Sequence, residues 1–155
     1  LLGNPKLTPT VLDGGETTNR VPEECHLTVD RRSIPPETSD SFQASLQSYL
    51  DERFAERDVA VELLRAETPF PDPFVTDSDA AVVETLQAAS GGELRAFEAA
   101  TEASYFADTA PTVVFGPGVL ADDEGPVAHA SREYVRLADV RAAADAVTDA
   151  LASLV

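Results

Sequence analysis

The chain has 155 residues, enough for one ordinary domain or two small ones, and 43% of them are hydrophobic, which argues against disorder throughout. The formal net charge of −17, from 28 acidic against 11 basic residues, disfavours direct binding to nucleic acid or to an anionic membrane. The acidic residues are dispersed and Lys6 is the only lysine. This pattern favours adaptation to high salt over an acidic tail or a mimic of nucleic acid.

Other features of composition concern the cell compartment and the extent of the chain. Cys25 is the only cysteine, so no internal disulfide can form. No apolar run approaches the roughly 18–20 residues of a membrane span, and the start lacks a signal-peptide pattern, so we expect a cytoplasmic protein. Methionine is absent and the chain starts with Leu1-Leu2, so we expect an internal or C-terminal piece of a longer polypeptide.

Residues 1–66 are predicted to form the order strand, strand, helix, strand. Residues 7–12 are a short apolar strand, and residues 25–30 alternate apolar and polar side chains, with Cys25 on the inner face. Ser39 or Asp40 is expected to cap a helix. Apolar residues recur at helical spacing along it, namely Phe42, Leu46, Tyr49, Leu50 and Phe54. A third strand is predicted over 59–63. This order matches the last part of a ferredoxin-like βαββαβ sandwich that lacks its first strand and helix.

Residues 67–155 are predicted to be an α/β domain with a parallel or mixed sheet. Three prolines in 67–76 mark the domain boundary, and a helix is expected after Asp77 or Ser78, ending at Gly91-Gly92. Strands are predicted over 94–97 and 111–115, with the first turn of a helix at 101–106 between them. Asp139 is expected to cap a last helix. The inner face of that helix is predicted to consist of Val140, Ala143, Ala144, Val147 and Leu151.

A glycine-flanked turn and a histidine follow the predicted strand 111–115. The turn is Gly116-Pro117-Gly118, and His129 lies eleven residues beyond it. Ligands and metals gather at the carboxyl ends of strands in open α/β sheets, so His129 is a candidate metal ligand, although one histidine cannot hold a metal by itself. A solvated loop histidine is the alternative. Glu133 could orient a ligand or be one more surface acid.

Four blocks of residues, taken together and in order, resemble a known enzyme family. They are Gly14-Gly15 with Asn19-Arg20-Val21-Pro22; Val29-Asp30-Arg31-Arg32 with Pro35; Thr101-Glu102-Ala103; and Gly116-Pro117-Gly118 leading to His129 and Glu133-Tyr134-Val135. The chain resembles the zinc-dependent aminoacylase and metallopeptidase family of acetylornithine deacetylase and succinyl-diaminopimelate desuccinylase, over the C-terminal part of a family member.

The resemblance implies a domain organisation and a cofactor. Residues 1–66 would be most of a ferredoxin-like lid that forms a homodimer, and residues 67–155 the C-terminal half of the catalytic domain. His129 would be the last ligand of one or two zinc ions, with cobalt or manganese as possible replacements. The other metal ligands, the glutamate general base and the lid histidine that reaches the partner's site would lie upstream of this chain.

The resemblance also assigns substrate-binding residues, and each has a simpler structural explanation. Arg32 would receive a substrate carboxylate, or form a surface salt bridge. Asn19 would contact substrate, or be a turn residue. Thr101 and Glu102 would lie beside the active site, and Thr101 would also suit a helix N-cap. Gly116 and Gly118 would allow substrate to approach the backbone, or only a tight turn. His26 is expected to be on the surface.

The function implied by the resemblance is hydrolysis of the amide of a small N-acyl amino acid by a metal-dependent amidohydrolase of the deacetylase or desuccinylase type. The sequence leaves open a dipeptidase or carboxypeptidase of the same family, which would act on a peptide. It also leaves open a non-catalytic ferredoxin-like module for dimerisation or ligand binding. By itself this polypeptide is expected to be inactive, since it would supply at most one metal ligand.

Overall fold

A computed structural model describes residues 3–68 and 70–154 of the chain and has mixed α and β structure. Its elements in chain order are β1 (Lys6–Asp13), β2 (His26–Arg32), α1 (Ser39–Arg53), α2 (Ala81–Ser90), α3 (Ala103–Ala107), β3 (Ala121–Asp122), β4 (Gly125–Pro126) and α4 (Leu137–Leu154). The chain forms two compact units. The first extends to Val75 and includes Glu98–Ser104; the second comprises Thr76–Phe97 and the residues from Tyr105 onward.

The first unit contains an antiparallel pair of strands, which confirms both of the first two predicted strands. β1 pairs with β2 from Lys6 opposite Arg32 to Asp13 opposite His26. The register shifts between Pro9 and Val11, where a residue is left over as in a β-bulge. Proline cannot donate to a strand ladder, which explains why the irregularity occurs beside Pro9.

Helix α1 confirms the predicted helix, but its N-cap is Thr38 rather than Ser39 or Asp40. The Thr38 hydroxyl accepts a hydrogen bond from the Ser41 backbone N–H at 3.2 Å, and the Ser41 hydroxyl accepts one from the Thr38 N–H at 2.9 Å. This reciprocal pair is a capping box formed by threonine and serine. Asp40 instead lies in the first turn, where its negative charge is favourable beside the positive end of the helix dipole.

The strand predicted over 59–63 is wrong, because side chains of α1 take the hydrogen bonds that a neighbouring strand would have made. The Gln47 amide donates to the Val59 carbonyl at 2.7 Å and accepts from the Val61 N–H at 2.8 Å. The Gln43 amide donates to the Val61 carbonyl at 2.7 Å. The two glutamines therefore satisfy the Val59 carbonyl and both backbone groups of Val61 without a β-ladder.

The inward placement of Cys25 is also wrong. Cys25 is a free, exposed thiol that precedes β2, which begins at His26. Leu27 is exposed as well, whereas the consecutive residues Thr28 and Val29 are both half-buried. The alternation seen in the sequence is therefore not realised as one buried face. His26 is exposed, as predicted.

The second unit is built on the packing of α2 against α4, which confirms two predicted helices. Val83 of α2 is only 3% exposed. The N-cap position of α2 is Ala80, without a side-chain cap, and the helix, predicted to follow Asp77 or Ser78, begins at Ala81. The helix ends at Gly91 as expected, since that residue has φ +67° and donates its N–H to the Gln87 carbonyl at 2.8 Å.

The buried face of α4 differs from the predicted one. The buried residues of this helix are Ala146 and Ala150, whereas Val147 is 41% and Leu151 58% exposed. Small side chains let two helix backbones approach closely, so the alanine face packs and the larger apolar side chains stay outside. The helix also begins at Leu137, so Asp139 lies in its first turn and is not its cap.

Strands are not formed over 94–97 or 111–115, and both predictions are wrong. The Thr76 hydroxyl accepts a hydrogen bond from the Thr112 N–H at 3.1 Å and donates to the Thr112 carbonyl, so a side chain replaces the ladder here. Within the described part of the second unit the sheet consists of the antiparallel β3–β4 hairpin, not a parallel or mixed sheet. None of the described helices is long and apolar enough to cross a membrane.

Candidate functional site

A cleft of about 620 Å³ in the second unit contains two of the predicted substrate-binding residues. Gly116 and Gly118 both line it, and so does Glu133. Its walls are otherwise mainly apolar, formed in part by Phe115, Leu120 and Val127. A concave surface with an apolar wall and few polar groups is the usual form of a small-molecule site.

Gly118 is required by its backbone conformation, whereas Gly116 is not. Gly118 has φ +92°, in the region that side chains disfavour, and a Cβ there would lie 3.4 Å from Val135 Cγ2. A Cβ on Gly116 would meet nothing within 4 Å. The turn predicted at Gly116-Pro117-Gly118 thus depends on its second glycine, and Gly116 leaves open space beside the cleft.

His129 lies on an exposed loop of the same unit and does not itself line the cleft. Its φ is +60°, the left-handed region, which is uncommon for a residue other than glycine and for which histidine is enriched. Val127, two residues earlier, is 1% exposed and is the most buried side chain of this segment. The loop therefore leaves a buried valine and immediately presents the imidazole-bearing residue at the surface.

A cluster around Asp122 and Arg132 borders this loop, and the sequence analysis missed it. The Arg132 guanidinium donates to both Asp122 carboxylate oxygens, with Nη1 to Oδ2 at 3.0 Å, and to the Gly125 carbonyl at 2.9 Å. The Tyr134 hydroxyl donates to Asp122 Oδ2 at 3.2 Å. The signal available in the sequence was the acidic turn 122–125 followed by a lone arginine.

The cluster holds both groups in their charged forms. The hydrogen bond from Arg132 holds the pKa of the Asp122 carboxyl well below its usual range, and smaller contributions come from the Glu124 N–H and Tyr134. The hydrogen bond to Asp122 likewise raises the pKa of Arg132. The pair is consequently an ion pair at any physiological pH.

In the first unit the structure distinguishes the two adjacent arginines. Arg31 is committed to Glu37, donating from Nε at 2.8 Å and from Nη2 at 2.6 Å, and its guanidinium lies 4.5 Å from the centre of the Phe42 ring. Arg32 has a side chain that is 57% exposed and contacts Asp30 at 3.2 Å. Arg32 is therefore the arginine that solvent and small molecules can reach.

The remaining candidates of the first unit lie on irregular segments. From the end of β2, Arg32 Nη1 donates to the Glu98 carbonyl at 3.2 Å, which places the guanidinium beside the segment that continues to Thr101. The Thr101 hydroxyl accepts a hydrogen bond from the Ala103 N–H at 3.3 Å, so its capping interaction is present. Glu102 and Asn19 are exposed, and Asn19 lies in a turn.

The described residues do not form a metal site by themselves. Among residues 3–68 and 70–154, no three or more His, Cys, Asp or Glu side chains come together as they would around a metal ion. A zinc site requires three or four protein ligands, so His129 alone does not fit one.

Comparison with known proteins matches residues 1–58 to a family model described as a peptidase dimerisation domain. The chain is similar to acetylornithine deacetylase of Aliivibrio fischeri, at 27% identity over 131 residues, covering 84% of this chain and 33% of the relative. It is also similar to the acetylornithine deacetylase of Myxococcus xanthus, at 29% identity over 134 residues, covering 84% and 33%. These matches support the peptidase family. The chain spans about a third of the length of the relatives it matches.

Proposed function

We propose that this chain is part of a metal-dependent amidohydrolase that removes the acyl group from a small N-acyl amino acid, as acetylornithine deacetylase does by name. One observation carries the proposal: a peptidase dimerisation domain is matched over residues 1–58, and relatives named deacetylase align along 84% of the chain. Because the chain spans about a third of those relatives, the activity is proposed for a protein that contains it.

The proposed substrate contacts follow from the described surroundings of each residue. Arg32, being largely exposed, would bind the substrate carboxylate through its planar guanidinium. The exposed amide of Asn19 and the segment of Thr101 and Glu102 would give further polar contacts. Separately, and within the second unit alone, the apolar wall of the cleft, with the space beside Gly116, is proposed to contact apolar atoms of a small molecule.

We further propose that one or two zinc ions, replaceable by cobalt or manganese, bind to the containing protein with His129 as one ligand. Bound zinc would supply an ionised water at neutral pH. Residues outside this chain would have to complete the site and provide the general base, so the 155 residues alone would be inactive. Residues 1–66 are proposed as the homodimerising lid, residues 67–155 as the catalytic part, and the protein as cytoplasmic and salt-adapted.

The experiment compares two histidine variants in a protein that contains this chain, called the containing protein. Release of free ornithine from acetylornithine is measured for His129→Asn and for the matched control His26→Asn, since these are the two histidines of the chain. We expect His129→Asn to lower kcat/KM by more than the roughly 10–100-fold that loss of an outer-shell partner costs, because His129 is proposed as a metal ligand. His26→Asn should leave it unchanged, because the His26 side chain is 75% exposed and lies 3.7 Å from the similarly exposed Glu24.

Other outcomes separate the alternatives. Hydrolysis of a dipeptide but not of acetylornithine or succinyl-diaminopimelate would favour a dipeptidase of the same family. A containing protein that hydrolyses none of these substrates would overturn the amidohydrolase proposal. Full activity of His129→Asn would overturn only the proposed role of His129 as a metal ligand. Dimers without activity would favour a dimerisation module.

A further inference from the structure

The loop that carries His129 is closed on both sides by hydrogen bonds. On its N-terminal side the Leu120 carbonyl accepts from the Val127 N–H at 2.9 Å and from the Ala128 N–H at 3.1 Å. On its C-terminal side the guanidinium of Arg132 binds Asp122 and the Gly125 carbonyl. The second closure ends on the β3–β4 hairpin, and the first ends on Leu120, the residue that precedes it.

Three residues lie between the two closures: His129, Ala130 and Ser131. A short closed loop has few conformations, so it has little conformational entropy left to lose when a ligand binds. Two further hydrogen bonds cross it, from the Ala130 N–H to the Val127 carbonyl at 3.3 Å and from the Glu133 N–H to the Ala130 carbonyl at 3.0 Å. The left-handed backbone of His129 persists because the surrounding bonds determine it.

The C-terminal closure has the geometry of a specific interaction and not of an ordinary surface ion pair. The side chains of Arg132 and Asp122 are 34% and 27% exposed, and two parallel hydrogen bonds join them. The Tyr134 hydroxyl and the Glu124 N–H also bind the Asp122 carboxylate, which fixes its orientation. By contrast, Lys6 and Glu98 are 59% and 67% exposed and meet at a single contact of 3.3 Å.

We infer that the Asp122–Arg132 pair is a positioning element of the site: it sets where His129 and Glu133 stand relative to the cleft. Arg132 and Asp122 do not line the cleft, and so act through the loop and not on substrate. The catalytic part of this inference rests on the proposed function, whereas the ordering of the loop does not. Displacement of a reacting group by about 1 Å can cost roughly 100-fold in rate, which is why such a pair would matter.

The first test observes the loop directly. In the full 155-residue chain, the imidazole NMR signals of His129 and His26 are compared in the wild type, in Arg132→Lys, in Arg132→Gln and in Asp122→Asn. We expect the His129 signal to shift and broaden in all three variants. Arg132→Lys is included because lysine keeps the positive charge but cannot make the two parallel hydrogen bonds of the guanidinium. The His26 signal should not change. Lys6→Gln, which removes an exposed pair, is the control and should leave both signals unchanged.

The second test uses the containing protein with acetylornithine as substrate. Arg132→Gln and Asp122→Asn should each lower kcat by about 10–100-fold with KM changed less than about twofold, the effect of a misplaced group and not of lost binding. The double variant should lower kcat no further than either single variant does, because both substitutions remove the same ion pair. Circular dichroism confirms that the helices are retained.

The outcomes distinguish this inference from the proposed function. An unchanged His129 signal in variants that keep their helices would overturn the positioning role, and so would additive effects on kcat or an effect confined to KM. If Arg132→Gln does not fold, Arg132→Lys decides by the same signal. A wild-type protein without deacylase activity would refute the proposed function, while the NMR comparison would still decide whether the pair orders the loop.

Discussion

The packing of α2 on α4 leads to a prediction that separates two neighbouring alanines. Ala146 is 4% exposed and faces the interior, whereas Ala144 is exposed. The apolar pattern of the sequence places Ala144, and not Ala146, on the inner face. Replacing each of them by leucine therefore tests which face is buried.

The expected magnitude follows from the space around Ala146. Leucine adds three carbon atoms, and almost none of the new surface could reach solvent at this position. If room existed, burial would stabilise by about 0.8 kcal/mol per carbon, but a packed helix contact has no such room. We expect Ala146→Leu to lower the free energy of unfolding by about 1–3 kcal/mol through overpacking. Ala144→Leu should change the free energy of unfolding by less than about 0.5 kcal/mol, since alanine and leucine have similar helix propensity.

The assay is thermal and urea unfolding of both variants, followed by far-ultraviolet circular dichroism in the same salt. For a chain of this length, about 1–3 kcal/mol corresponds to a fall in Tm of roughly 2–12 °C. Equal effects of the two substitutions, or a larger effect at Ala144, would refute the assignment of the alanine face as the packed face.

Two further predictions concern charge. Glu37→Gln should lower the free energy of unfolding by about 1–2 kcal/mol at neutral pH, through loss of the charge-assisted hydrogen bonds from Arg31. Those bonds lower the pKa of Glu37 in the folded chain, so its contribution is complete above the unfolded pKa and is lost as pH falls through the folded pKa. The unfolding free energies of the wild type and Glu37→Gln, measured by urea titration, should therefore converge as the pH falls through the acidic range. A difference that stays constant with pH would contradict this. Glu23→Gln, which removes an exposed pair, is the control. For salt adaptation, raising KCl from about 0.1 M to about 2 M should increase the unfolding free energy, because screening weakens the repulsion of a −17 charge. Unfolding that is independent of salt would sink the salt-adaptation proposal.

The sequence predicted helices better than strands, and the difference has a physical cause. A helix satisfies its backbone within one segment, so the periodicity around Leu46 or Val83 was sufficient to find α1 and α2. A strand needs a partner, and the alternation at 59–63 could not say whether one would be there. In the described structure its place is taken by the side chains of Gln43 and Gln47.

The candidate site was predictable only in part. The turn at Gly118 was readable from the glycine spacing. The placement of His129 beyond the carboxyl end of a strand was not met, because residues 111–115 form no strand. The pairing of Asp122 with Arg132 was not readable, because ten residues separate them and many acids of this chain could have met that arginine. Nor could the sequence say which of the adjacent arginines, Arg31 or Arg32, would be taken up by Glu37.

The amino-acid sequence by itself determined the local elements: the extended segments of β1 and β2, the three longer helices, the glycine that ends α2 and the strongly acidic surface. These depend on neighbours a few residues apart and on composition. Only the tertiary structure decided which face of α4 is buried, which apolar segments remain without a strand partner, and that a salt bridge closes the loop of His129. Such features depend on which distant groups meet, because packing and charge pairing are selected by shape and distance and not by position along the chain.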